Sequence, residues 1–301
     1  MAAGEAVTES AAPQAESLFV DHRPLLFSIA YEILGSVTDA EDVLQESYIR
    51  WCAVDPAEIG NPRAYLASIV TRQSLNALRA AARRREEYVG PWLPEPLATG
   101  GGPDGAAHVL AGEAVTTAML LVLESLTPTD RAVFVLREVF DFGYSEIAAA
   151  VDKSAAAVRQ INHRARGHVH ARRQAAVATP DEAQAAADRF FAAVTTGDLQ
   201  ALMDVLAPDV VSLADGGGVV QAARRPVRGA DRVARLMLGL VRTTEGALVV
   251  RPAVFNGMPA VVVDWGAVRY VLCVEVRGGS ITAIYVIGNP AKVSHITGRT
   301  R

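Results

Sequence analysis

At Thr179-Pro180 the chain changes its periodicity. Before that point apolar residues recur at helical spacing, as in LFVDHRPLLFSIAYEILGSV and TPTDRAVFVLREVFDF. Beyond it one amphipathic helix, DEAQAAADRFFAAVTTGD, and a shorter one, LQALMDVLA, lead into β-type runs. These are DVVSLA, GVVQAA, ALVVRPAVF, MPAVVVDW, VRYVLCVEV and SITAIYVIG, with a helix at about 230–242 among them. A helical stripe and a strand face bury their apolar side chains by different geometries. The chain is therefore multidomain: all-α parts first, then an α+β domain with a curved antiparallel sheet. Its 301 residues suffice for two or three domains.

Punctuation divides the helical part further. Gly35 ends a first helix, and Thr38-Asp39-Ala40-Glu41 reads as a capping box for DAEDVLQESYIRWCAV. On that helix Val43, Ile49 and Trp51 fall near one apolar side, with Asp39, Asp42 and Glu46 on another. Asn61-Pro62 opens the next helix, with Pro62 at the tolerated first position. Six arginines lie between Arg63 and Arg85 with no acid among them. Residues 88–105, YVGPWLPEPLATGGGPDG, hold four prolines and five glycines and form a linker, in which Trp92 and Leu93 are suited to docking. Helix resumes over residues 108–125, Thr127-Pro128 starts another, and Gly143 turns the chain into YSEIAAAV. The acidic stretch MAAGEAVTESAAPQAE lacks the apolar core of a secretory signal and reads as a disordered lead-in. With no run of 18 or more apolar residues, a cytoplasmic protein with no membrane partner is expected.

Charge distribution says more than net charge. The formal net charge is −4, yet residues 151–174, VDKSAAAVRQINHRARGHVHARRQ, carry five arginines and three histidines with no acid after Asp152. Solvated helices usually mix signs to gain i,i+4 pairs, so an unmixed basic helix points to a polyanionic partner. SEIAAAV, a turn at Asp152-Lys153 and a helix capped by Ser154 make a helix-turn-helix. Val158, Ile161, Ala165 and Val169 then face the core, and Arg159, Gln160, His163 and Arg164 project outward. Arg and Gln make paired hydrogen bonds to base edges, while Arg166, Arg172 and Arg173 are placed for backbone phosphates. Only Lys153 and Lys292 are lysine among the basic residues. Cys52 and Cys273, distant in sequence and in apolar surroundings, read as buried free thiols.

The order of these pieces resembles a sigma factor of the extracytoplasmic-function group of the sigma-70 family. GSVTDAEDVLQESYIRW, NPRAYLASIVTRQSLNALR and LTPTDRAVFVLREVFDFGYSEIAAAVDKSAAAVRQINHRAR carry the resemblance, over roughly residues 14–176. It implies core RNA polymerase as partner, through the β′ clamp helices and the β flap, and promoter DNA. The polymerase-facing residues would be Asp39, Glu41, Asp42, Gln45 and Glu46. Those facing the −10 element would be Arg63, Arg72, Asn76, Arg79 and Arg83, and those facing the −35 element Ser154, Arg159, Gln160, His163, Arg164 and Arg166. The segments FFAAVTTGDLQALMDVLAPDVV, Asp215-Gly216-Gly217-Gly218 and Asn289-Pro290 resemble a subgroup with a fused SnoaL-like domain of NTF2-like cone fold. Two positions depart from the pattern: the tail NPAKV has Ala291 and Val293, and Ile161 stands where many relatives have arginine. The resulting division is 1–13 lead-in, 14–86 sigma region 2, 87–113 linker, 114–176 sigma region 4 and 181–301 SnoaL-like domain.

The resemblance implies a fused regulator in place of a separate anti-sigma protein, with Trp92, Leu93, Asp215, Gly216, Gly217, Gly218, Asn289 and Pro290 in interdomain docking. All six histidines lie outside residues 181–288, so a His/Asp-based cyclase has no local histidine. No catalytic residue, cofactor or metal is expected, although the cone leaves room for an unknown small ligand. Two rival readings remain open: an enzyme targeted to DNA, with Asp209, Asp215, Asp231 and Asp264 as its carboxylates, and a one-component regulator with a ligand-sensing cone.

Overall fold

The computed structural model describes residues 5–99, 116–172, 178–242 and 248–296, with residues 5–12, 82–86 and 171–172 as backbone alone. They divide into two compact units. The first holds residues up to 83 and 122–172, and the second holds 84–99, 116–121 and the chain from 178 onward. The two helical regions thus share one unit, and the linker belongs to the other.

In the first unit, α1 spans Glu5–Leu34, so helix begins inside the stretch expected as disordered. Gly35 ends it at φ 70°, a conformation in which only glycine avoids a steric cost. The cap of α2 (Val37–Trp51) is Ser36 and not Thr38: Ser36 is extended and its hydroxyl accepts from the Asp39 amide at 3.1 Å. The chain has already left α1 at Gly35, which puts the first free amides two residues earlier than the capping-box pattern does. Trp51 is fully buried and its Nε1 donates to the Ala15 carbonyl at 2.7 Å, tying the start of α1 to the end of α2. Asn61 caps α3 (Pro62–Glu86), accepting from the Ala64 amide at 3.1 Å. Cys52 is exposed just past α2, whereas Cys273 is buried; both are free thiols.

After α4 (Thr117–Glu124), α5 (Pro128–Phe134) runs into a π-helical segment, Val135–Val139. Then α6 (Tyr144–Val151) and α7 (Ala155–Arg172) form the helix-turn-helix. Its turn places Asp152 at φ 54°, and the Ser154 hydroxyl accepts from the Ala157 amide at 3.2 Å. On α7 the buried positions are Val158, Asn162, Ala165 and Val169. Ile161 is only half-buried, because Asn162 turns inward and its Nδ2 donates to Glu138 at 2.7 Å.

The second unit has α8 (Pro180–Thr196), α9 (Leu199–Val205), α10 (Ala230–Arg242) and α11 (Pro290–Val293) around a six-stranded sheet. Its strands are β1 (Leu206–Asp215), β2 (Val227–Arg228), β3 (Leu248–Phe255), β4 (Met258–Trp265), β5 (Val268–Arg277) and β6 (Ser280–Ile287), in the order β2-β1-β6-β5-β4-β3. The pairing is antiparallel except between β1 and β6, so the sheet is mixed. GVVQAA is not a strand. Gly217 and Gly218 take positive φ and the Val219 and Val220 amides turn back to the Gly216 carbonyl, ending pairing at Asp215. One sheet face packs Phe190, Leu202, Val233, Met237 and Ile284 beneath the helices. The other buries Leu93, Val262, Val271, Tyr285 and Ile287, with Ala118 and Leu121 of α4 against them.

Candidate functional site

The acidic face of α2 follows from its pattern: Ala40, Val43, Leu44, Ser47 and Trp51 turn inward. Asp42, Gln45, Glu46, Ile49 and Arg50 line one open surface depression. Ile49 is 66% exposed, so it belongs to this face and not to the core where its spacing placed it. Asp39 and Glu41 lie to one side, half-buried, with Glu41 bound to Arg23 at 2.6 Å.

On α3 the arginines divide. Arg63 donates to the Phe140 carbonyl at 3.2 Å and lies 4.1 Å over the Phe142 ring. Arg72 donates to the Ala149 carbonyl at 2.5 Å, one of the carbonyls that the end of α6 leaves without a helical partner. Asn61 donates to Glu146 at 3.0 Å. Asn76 and Arg79 bond to each other at 3.0 Å and stay exposed. The side chain of Arg83 lies outside the described residues. A buried guanidinium joins the same two regions: Arg131 on α5 donates to the Glu32 carbonyl of α1 at 3.1 Å and pairs with Glu124 at 2.5 Å.

On α7, Ser154, Arg159, Gln160, His163, Arg164 and Arg166 are all exposed. Arg159 stacks 5.3 Å from Tyr144, Arg164 reaches Asp130 at 2.8 Å and Arg166 reaches Glu138 at 3.5 Å. With side-chain exposures of 67% and 54%, Arg164 and Arg166 hold these pairs weakly enough to exchange them for another anion.

In the second unit the linker closes over Asp215, which is 1% exposed at the end of β1. Its Oδ1 accepts from the Tyr88 hydroxyl at 2.5 Å and the Gly217 amide at 3.0 Å. Its Oδ2 accepts from the Leu93 amide at 2.9 Å and from Lys292 Nζ at 2.8 Å. Lys292 also donates to the Leu93 carbonyl and lies 4.0 Å from the Trp92 ring and 5.1 Å from the Tyr88 ring. Burial pushes the Tyr88 hydroxyl well above its ordinary value, and its bond to Asp215 adds to the shift. Asn289 caps α11, which Pro290 opens, accepting from the Ala291 amide at 3.1 Å and donating to the Tyr88 oxygen at 2.7 Å.

The three glycines make room for this closure. A Cβ on Gly217 would lie 2.5 Å from the Asn289 amide group, and one on Gly216 would lie 2.5 Å from the Val220 carbonyl. A Cβ on Gly218 would press on Val89 of the linker at 3.2 Å. Farther along, residues 97–99 lie antiparallel to the end of β3. The Thr99 amide donates to Val254 at 3.1 Å and the Asn256 amide to Leu97 at 2.8 Å. His295 meets the Pro96 carbonyl at 3.1 Å.

Sequence reasoning brought Trp92, Leu93, Asp215, the glycines, Asn289 and Pro290 into view but missed Tyr88 and Lys292. The signal for Lys292 was its identity: one of two lysines in a chain otherwise basic through arginine. The other carboxylates of the unit are not gathered here. Asp264 is clasped by Arg269 at 2.6 Å and Arg251 at 2.5 Å, which hold its carboxyl down to about 2. Asp231 pairs with Arg235 at 2.9 Å on the outside of α10, and Asp209 is exposed.

Residues 18–84 match the family model "Sigma-70 region 2", and residues 116–169 match "Sigma-70, region 4". The chain is 39% identical over 282 residues to the ECF RNA polymerase sigma factor SigJ of Mycobacterium tuberculosis, covering 90% of each chain. It is 33% identical over 274 residues to the probable ECF RNA polymerase sigma factor SigI of the same organism, covering 90% of this chain and 91% of the relative. The crystal structure of the extracytoplasmic function sigma factor SigJ superposes with a TM-score of 0.77 at 35% identity, over 92% of this chain and 98% of that one.

Proposed function

The chain belongs to the extracytoplasmic-function RNA polymerase sigma factors, and we propose that its C-terminal domain regulates it by holding both ends of the linker between the two sigma regions. Sigma factors bind core RNA polymerase and promoter DNA. Here the α2 face of Asp42, Gln45, Glu46 and Ile49 meets core polymerase, at the clamp helices of β′. Arg63, Arg72, Asn76, Arg79 and Arg83 serve the −10 element, and the outer face of α7 serves the −35 element.

The observation that carries the regulatory reading is the four-donor clasp on Asp215. It fixes Tyr88 and Leu93 directly after region 2, while Ala118 and Leu121 at the front of region 4 pack on the same sheet face. A free linker from residue 87 to 116 would reach about 100 Å at full extension, since each residue adds about 3.3–3.6 Å. Docking withdraws most of that reach. In the same state Arg63 and Arg72 donate to the Phe140 and Ala149 carbonyls of region 4. Core polymerase and promoter together select the released state of a two-state equilibrium.

The C-terminal domain itself turns nothing over in this reading. Of the candidate carboxylates, Asp215 has both oxygens occupied by protein donors, Asp264 is clasped by Arg251 and Arg269, and Asp209 and Asp231 are exposed. A small ligand between helices and sheet would have to displace Phe190 or Met237, both buried there. Run-off transcription with purified core polymerase tests the proposal, comparing the full chain with forms ending before Pro180 and before Gly288. Promoter-dependent RNA from the full chain, with a changed yield from each shortened form, is expected. Equal yields from all three would remove the regulatory role, and no RNA from any would remove the initiating one.

A further inference from the structure

Residues 221–242 form a third basic segment, and the regulatory clasp uses none of its arginine side chains. They hold Arg224, Arg225, Arg228, Arg232, Arg235 and Arg242 against a single acid, Asp231. All six are exposed. Arg228 lies on β2, the edge strand beside β1, and the chain runs directly from it into α10. On α10 the buried positions are Ala230, Val233, Ala234, Met237 and Leu238. The helical period therefore puts Arg232, Arg235, Gly239 and Arg242 together on the outer face. Only Arg235 forms an ion pair among the described residues, with Asp231.

Mixed pairs such as Arg251–Asp264–Arg269 sit on the sheet, but charge on the helices of this domain is segregated. The exposed sides of α8 and α9 carry Asp181, Glu182, Asp188 and Asp204, with Arg189 the one base among them. A solvated surface gains nothing from collecting its arginines on one helix face, because like charges at helical spacing repel. A protein-binding surface would present an aromatic or aliphatic anchor at its centre. At the centre of this face stands Gly239, where an added Cβ would meet nothing within 4 Å. The row from Arg232 to Arg242 is about 15 Å long at about 1.5 Å per residue. Duplex DNA carries a negative charge every ~1.7 Å of its axis, and guanidinium groups bind phosphate oxygens in pairs. The bare backbone at Gly239 lets such a rod approach between the side chains.

We propose that the face formed by Arg224, Arg225 and Arg228 with the Arg232–Arg235–Arg242 side of α10 grips the phosphate backbone of double-stranded DNA without reading its bases. This goes beyond the regulatory reading: it gives the C-terminal domain its own hold on DNA, in addition to the α3 and α7 helices. A hold of this kind is set by counterion release, so its signature is salt dependence and not sequence preference.

The test is binding of the full chain to a fluorescent duplex lacking promoter elements, titrated across a salt series. It compares the parent with a triple variant, Arg228→Gln, Arg232→Gln and Arg242→Gln. Every phosphate that goes without its arginine lowers the slope of log K against log salt by about 0.9. A drop of about 2–3 is therefore expected, with affinity at about 0.1 M salt down on the order of 100-fold. The same three positions changed to lysine should keep the parental slope. An unchanged slope in the glutamine variant overturns the proposal. So does a slope reduced equally with lysine, which would mean that local structure and not charge had been removed. Weakened core-polymerase affinity with an unchanged slope would also overturn it and assign the face to polymerase. Run-off yield from the parent reports separately on the sigma-factor reading.

Discussion

Two sets of contacts restrain the chain, and they are built oppositely. The clasp on Asp215 is dry: Lys292 and Asp215 have side chains 7% and 0% exposed, and Leu93 beside them is fully buried. The ties between α3 and the helix-turn-helix are wet, since Asn61, Arg63 and Arg72 are exposed residues bonded to carbonyls and one carboxylate. Arg131 is the exception within that unit, buried at 2%. A buried charge pair is costly to leave half-made, whereas an exposed hydrogen bond exchanges with water at little net cost. The first unit is thus the one held by the more easily exchanged contacts, and in the regulation proposed above undocking the linker is the harder step.

The largest effect that follows is at the clasp. Lys292→Ala removes the cation that pairs with the buried Asp215 carboxylate, leaving it three neutral donors, and is expected to destabilise the C-terminal unit by about 3–5 kcal/mol. Urea unfolding of the full chain measures it, and hydrogen exchange at the Leu93 and Leu97 amides localises it. A loss under about 1 kcal/mol would erase the contrast between dry and wet contacts. Leu93→Ala comes next, at about 2–5 kcal/mol, because it opens a cavity against Val262, Val271 and Ile287 with no charge involved. If Leu93→Ala proves mild while Lys292→Ala is severe, the clasp is electrostatic and the apolar backing is incidental.

How much of this was legible depended on the kind of signal. The switch at Thr179-Pro180, the Pro62 and Pro128 helix starts and the helix-turn-helix are local chemistry, and each appears where its punctuation stands. The strand expected at GVVQAA failed because two consecutive glycines at positive φ outweigh a short apolar run. Ile49 and Ile161 were placed inward by periodicity alone, which cannot tell a core position from an apolar residue left on the surface. The inward turn of Asn162 depends on Glu138, and the burial of Lys292 on Asp215, 77 residues away. Long-range pairing of this sort leaves no periodic trace.

A smaller effect separates a third, intermediate contact. Asp264 is held down to about 2 by Arg269 and Arg251, against an ordinary value of 3.8. A carboxyl depressed in the folded state stabilises it fully above that ordinary value. The contribution fades as pH falls from about 4 through 2, as the native group takes up its proton. With the side chain 25% exposed, solvent screening reduces this contribution to about 1 kcal/mol. Acid unfolding of the parent and of Asp264→Asn measures it: the parent should lose this increment between about pH 4 and 2, and the variant should lack it throughout.

The smallest effect expected is also the most decisive for the contrast. Arg72→Ala removes one exposed donor from the Ala149 carbonyl, and water replaces it at a cost of about 0.5 kcal/mol. Global stability should therefore barely change, while the balance between closed and open forms of the first unit shifts about two- to threefold, since about 1.4 kcal/mol is tenfold. The chain supplies its own labelling site. Cys52 is exposed, whereas burial pushes the Cys273 thiol up to about 12 and keeps it unreactive. Dyes on Cys52 and on a Lys153→Cys substitution would report the separation of region 2 from the helix-turn-helix. A modest lengthening in Arg72→Ala, with Lys292→Ala showing a larger change through release of the linker, keeps the order of the two restraints. If Arg72→Ala opens the unit as far as Lys292→Ala does, the exposed ties are the principal lock, and the linker clasp is merely how the C-terminal domain stays attached.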